Sequence, residues 1–200
     1  MLAAPFYLSL ILALGALEPN FSHRTSPMSI LGGVPGWRGF AFNFGVAATG
    51  VLIATFAIGL RRQLPENWTA KAGFALLVIG GLGLIGAAVF HCNESCRNVL
   101  AEPDTVGRLH LIASFLAGMG TGLAPFFVWP AMRSSPAWRN FATPTLVVAI
   151  LANLVGIAFW LTIFAGYRFP SIEGLVQRSG FVIILLWIFV IAARLWNLPR

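Results

Sequence analysis

The sequence predicts an all-α polytopic membrane protein: a single bundle of six transmembrane helices with both termini in the cytoplasm. Three observations carry that prediction. Of 200 residues, 58% are hydrophobic and only 10% are charged, and the mean hydropathy is +0.84. Soluble domains carry about a quarter charged residues. A fold of this size has too little interior to hide so much apolar surface, so lipid must cover the rest. Second, six apolar stretches of spanning length alternate with short polar loops. Third, nearly all ionisable side chains lie in those loops.

The first stretch, 2–18, is short for a span. It has no basic segment before the apolar run and no A-x-A cleavage pattern, so it reads as a helix rather than a secretory signal. The second, 39–60, follows Pro27 and Pro35 and closes on Arg61 and Arg62. The third, 72–90, begins after Pro65 and is seamed by Gly80, Gly81, Gly83 and Gly86. The fourth, 108–130, carries Gly118, Gly120 and Gly122, with Pro125 and Pro130 expected to kink or end it. The fifth, 143–166, follows Pro136, and the sixth, 177–196, follows Pro170. Windows of roughly 17–24 residues cover about 30 Å at 1.5 Å per residue. Helices are required there because lipid offers no partner to free backbone groups. Small-residue seams let helices meet backbone to backbone, and lining a ligand cleft is their alternative use.

Orientation rests on the basic residues. Loops 61–71 and 131–142 with the C-terminus hold Arg61, Arg62, Lys71, Arg133, Arg139, Arg194 and Arg200 against Glu66. The other three loops hold Arg24, Arg38, Arg97, Arg108, Arg168 and Arg178 beside Glu18, Glu94, Glu102, Asp104 and Glu173. Acids weigh little in this rule. The Arg61–Arg62 pair abutting a helix end decides for cytoplasmic termini, in the plasma (inner) membrane. The net charge of +7 does not indicate nucleic acid, because the bases stand singly at segment ends. Membrane lipids are the expected partners, with a homo-oligomer or a larger membrane complex also open. No acid lies mid-span, which argues against a proton pump or ion channel, and no internal repeat suggests a secondary transporter.

This orientation collects His23, His91, His110, Cys92, Cys96, Asp104, Arg108 and Arg178 at the extracytoplasmic face. Cys92 and Cys96 are the only cysteines. On that face they are expected to form a disulfide that shapes the loop. Their C-x3-C spacing is wrong for a thiol oxidoreductase. His110 and Ser114 are four residues apart and share a helix face. His23, His91 and His110 could hold a zinc ion with an open position, or could simply hydrogen-bond loop backbone. Arg108 and Arg178 could snorkel, pair with nearby acids, or bind a lipid phosphate.

Four stretches here resemble a bacterial and archaeal six-helix membrane family catalogued as domain of unknown function 998. The Ser-rich run Ser26-Pro27-Met28-Ser29-Ile30-Leu31-Gly32 is similar to the family's motif after the first helix. The polar turn from Phe90 to Cys96 is similar to the turn after the third, with His91 in place of a common proline and Asn93 in place of a common aspartate. Gly107-Arg108-Leu109-His110 matches the opening of the fourth helix, and Gly174-Leu175 through Arg178 that of the sixth. The resemblance implies a six-helix bundle with its functional interest at the outer face, and implies no particular activity.

Two function classes are therefore expected. The first is a non-enzymatic protein binding a lipid or other amphiphile at its outer face, with Arg108, His110, Ser114 and Arg178 as ligand contacts. The second is a zinc-dependent intramembrane hydrolase, analogous in constellation only to ceramidase-type membrane hydrolases. There His23, His91 and His110 would hold the metal, Asp104 would orient water, and Ser26 or Ser29 would stabilise the oxyanion.

Overall fold

The computed structural model describes residues 2–92, 104–164 and 171–198. Six α-helices follow one another: α1 (Ala3–Ala16), α2 (Trp37–Arg61), α3 (Trp68–Val89), α4 (Thr105–Arg133), α5 (Arg139–Phe164) and α6 (Glu173–Trp196). A short 3-10 helix, Met28–Gly33, lies between α1 and α2. The described residues contain no strand.

Five of these helices, α2 to α6, are long and apolar enough to cross a membrane. The expected first span is shorter than the rest. With 14 residues, α1 reaches about 21 Å at 1.5 Å per residue, short of a hydrocarbon core of about 30 Å. It stops at Leu17, whose carbonyl accepts from Arg38 Nη1 at 2.7 Å, and Glu18 pairs with the same nitrogen at 3.1 Å.

Local chemistry sets the other boundaries. Gly36, with φ of 79°, makes the turn into α2, a backbone shape that L side chains disfavour. Asn67 caps α3 by accepting from the Ala70 amide at 2.9 Å. Asp104 Oδ1 accepts from the Gly107 amide at 2.6 Å and so starts α4. Neither Pro125 nor Pro130 ends α4, which runs on to Arg133. Neighbouring helices can re-satisfy the carbonyls that proline frees within a membrane.

Sequence neighbours are spatial neighbours, and α1 also touches α6, so the six helices close into a ring in chain order. The tightest seam is α3 against α4. A Cβ on Gly83 would lie 2.5 Å from the Ala117 amide nitrogen and 2.8 Å from the Ala113 carbonyl oxygen. A Cβ on Gly120 would lie 2.5 Å from the Gly80 nitrogen. Gly81 uses the opposite face of α3 in the same way, against Gly50 of α2. Gly80, Gly81, Gly83 and Gly120 pack backbone to backbone as expected, whereas Gly118 and Gly122 of the expected α4 seam face α5 side chains instead.

At one end of the ring, aromatic side chains lock the helices together. Trp138 is fully buried and donates to the Gln63 carbonyl at 3.2 Å. Trp187 donates to Thr145 Oγ1 at 3.0 Å. At the other end, residues 17–36 fold over the helices and are tied to α6. Arg178 Nη1 donates to the carbonyls of His23 at 2.6 Å and Ser26 at 3.0 Å. The Met28 amide donates to Gln177 Oε1 at 2.6 Å. The Leu175 amide donates to the Arg24 carbonyl at 3.0 Å.

Candidate functional site

Beneath that folded-over segment, the ring surrounds a partly open cavity of about 120 Å³, to which all six helices and the 3-10 helix contribute. Its room comes from glycines that the α3–α4 seam does not use. Gly118, Gly122, Gly156 and Gly180 all line it, and a Cβ on Gly156 would meet no atom within 4 Å. Phe42, Val46, Phe159, Phe181 and Ile184 supply apolar wall. No charged side chain is among the lining residues.

The polar groups on the wall are few, and several are already engaged. Asn43 Nδ2 donates to the Gly32 carbonyl at 3.0 Å. Gln177 Oε1 takes the Met28 amide. Thr121 bonds back to the Ala117 carbonyl at 2.7 Å. His110 is the exception in kind. Its Nδ1 lies 2.9 Å from the Phe90 carbonyl and 3.1 Å from the Ala87 carbonyl, so it carries the hydrogen and donates to the last turn of α3. That tautomer leaves Nε2 as an acceptor. Ser114 Oγ lies 3.3 Å from it.

The residues expected at the outer face distribute as follows. His110, Ser114 and Ser29 line the cavity. Ser26 does not; its hydroxyl accepts from the Ser22 amide at 3.2 Å. Arg178 turns toward residues 17–36, with its guanidinium carbon 5.1 Å from the centre of the Phe21 ring. Arg108 stands exposed at the start of α4. Asp104 caps that helix. His91 is exposed just after α3. His23 packs edge-on against Phe21, with ring centres 5.2 Å apart. Cys92 is buried and no cysteine among the described residues is free, but its expected disulfide partner Cys96 lies outside the described residues. Among the described residues no three His, Cys, Asp or Glu side chains come together to hold a metal. His110 Nδ1 already donates to backbone.

Tyr7, Asn43, Gln177 and Trp160 also line the cavity and were not expected there. Asn43 and Gln177 did carry a signal, being amides inside apolar windows, where polar side chains usually find a purpose.

Two local consequences can be measured. Asp104→Ala removes the α4 cap and is expected to cost about 1 kcal/mol in thermal or denaturant unfolding; no loss would mean that the cap contributes nothing. His23 has its pKa held below the usual histidine value, first by burial and then by the Arg178 charge. The folded chain therefore binds this proton less readily than the unfolded chain. Its contribution is present above the ordinary histidine pKa and is lost as pH falls through the folded value. Between about pH 8 and about pH 5, amide protection in residues 17–36, taken relative to the intrinsic exchange rate at each pH, is expected to fall in the native chain. His23→Gln should flatten that difference, and an unchanged profile would contradict it.

A family model described as "Protein of unknown function (DUF998)" matches residues 1–194. The chain belongs to this family. No curated protein and no solved structure matches it. In this DUF998 chain the stretches that carried the resemblance frame the cavity. Residues 26–32 contribute Met28 and Ser29 to its wall. Residues 107–110 bring in His110, and Phe90 supplies the carbonyl that orients it.

Proposed function

We propose that this DUF998 protein holds the apolar part of a lipid or other amphiphile in the central cavity, with the polar head toward the end covered by residues 17–36. The observation that carries the reading is the cavity itself: apolar, free of charged lining and set among membrane-length helices. Small-molecule sites have this composition, mostly hydrophobic and aromatic wall with a few placed polar groups. His110 and Ser114 are the head-group contacts this reading uses, and exposed Arg108 stands at the same end. The Arg61–Arg62 pair supports an orientation that places this end outside and the termini in the cytoplasm. On that view α1 is the sixth span, a short one, and the protein resides in the plasma membrane.

Native mass spectrometry of protein purified in mild detergent tests the reading. A retained amphiphile adduct of defined mass is the expected result. Bare protein across several gentle detergents would overturn it.

A further inference from the structure

Resting on that reading of the cavity, we infer that Ser114 and His110 form a nucleophile–base pair that cleaves an ester of the bound amphiphile. The starting point is how hydroxyls behave elsewhere in these helices. Thr49, Thr55, Thr121 and Ser179 each donate to the carbonyl four residues earlier, at 2.7–2.9 Å. That local bond is the default for a helical Ser or Thr in an apolar setting. Ser114 instead meets the imidazole of His110.

The imidazole is prepared for this contact by its other nitrogen. With Nδ1–H directed at the Ala87 and Phe90 carbonyls, Nε2 presents a lone pair to the serine hydroxyl. In serine hydrolases a carboxylate usually performs that orienting task. Here the carbonyls ending α3 perform it. The C-terminal end of a helix carries partial negative charge, which favours an imidazolium formed beside it. Both side chains line the cavity, so an ester lodged there meets the hydroxyl beside its base. Gln177 lines the same space and carries an amide N–H group of the kind that stabilises an oxyanion.

The chemistry closes without a metal or redox partner. Ser114 Oγ attacks the ester carbonyl carbon as its proton passes to His110 Nε2. The tetrahedral oxyanion collapses, the carbon–oxygen bond to the leaving group breaks, and that oxygen takes the proton from Nε2 to depart as an alcohol. Water then attacks the acyl-serine carbon as its proton passes to His110 Nε2; the bond from that carbon to Ser114 Oγ breaks, and Oγ takes the proton back from Nε2. One ester and one water give one acid and one alcohol.

The test is an alkyl fluorophosphonate, which phosphonylates an activated serine and releases fluoride. Native protein in mild detergent is treated, and the adduct is located by peptide mapping. The expected result is a label on Ser114 that is absent in Ser114→Ala and forms about 100-fold more slowly or worse in His110→Gln. Ser179, whose hydroxyl is engaged with backbone, should stay unlabelled. Protein that retains its amphiphile by native mass spectrometry but takes no label on Ser114, or labels Ser179 equally, overturns the catalytic inference and leaves binding standing. Protein that retains no amphiphile overturns both. Melting curves of His110→Gln guard against a folding defect, and the wild-type label decides the matter without that variant.

Discussion

Gly83→Leu is expected to yield little or no folded protein. The atoms nearest to the position of the new Cβ are backbone: Ala117 nitrogen at 2.5 Å, Ala113 oxygen at 2.8 Å and Ala117 Cα at 2.9 Å. Backbone within a helix cannot swing aside as the end of a long side chain can, so α3 and α4 must separate along their closest seam. Forcing extra carbon into a packed interior typically costs about 1–3 kcal/mol. Here four heavy atoms are inserted between helices rather than among side chains, so the loss should reach or pass the upper figure. Against a typical total stability of about 5–15 kcal/mol, that is a large share. Size-exclusion profiles and thermal melting in detergent read the effect. Gly156→Ala is the matched control, since its Cβ meets nothing within 4 Å. A Gly83→Leu protein that melts with the wild type would mean that α3 and α4 do not meet through this seam.

Gly156→Phe should do the reverse, keeping the fold and emptying the site. The new Cβ enters open space at the cavity wall, and the ring extends from there into the cavity. Filling such a void commonly leaves stability unchanged or raises it by about 0.5–2 kcal/mol. The retained amphiphile should fall at least about tenfold, because the ring occupies much of its volume; a factor of ten is about 1.4 kcal/mol in binding. Gly59→Phe controls for an added aromatic, since among the described residues the only atom near its Cβ is Leu195 Cδ1 at 3.9 Å. Equal adducts in native protein and in both variants would place the amphiphile elsewhere.

These two glycines show how far the sequence could be read. Helix class, loop positions and the use of glycine for close packing all follow from composition and spacing. The destination of each glycine does not. Gly118, Gly120 and Gly122 look like one seam, yet each residue turns the helix by about 100°. Gly120 therefore faces α3, while Gly118 and Gly122 line the cavity beside α5. The shared face of His110 and Ser114 was legible for the same reason, as a four-residue spacing. Their orienting partners, the Ala87 and Phe90 carbonyls, come from another helix and leave no local trace. Asp104 was read for its chemistry, although an Asp just before an apolar helix is also a cap pattern, and capping is the contact the structure displays. Arg38, which catches the Leu17 carbonyl from 21 residues away, likewise leaves no local trace in the sequence.

The most direct measurement is photocrosslinking with a diazirine-bearing phospholipid in liposomes, followed by peptide mapping. The expected result is an adduct on cavity residues such as Phe159 and Phe181 that disappears in Gly156→Phe. Adducts confined to the outward-facing Leu154 and Ile157, which are 60% and 58% exposed, and unchanged by that substitution, would contradict a lipid seated within the ring.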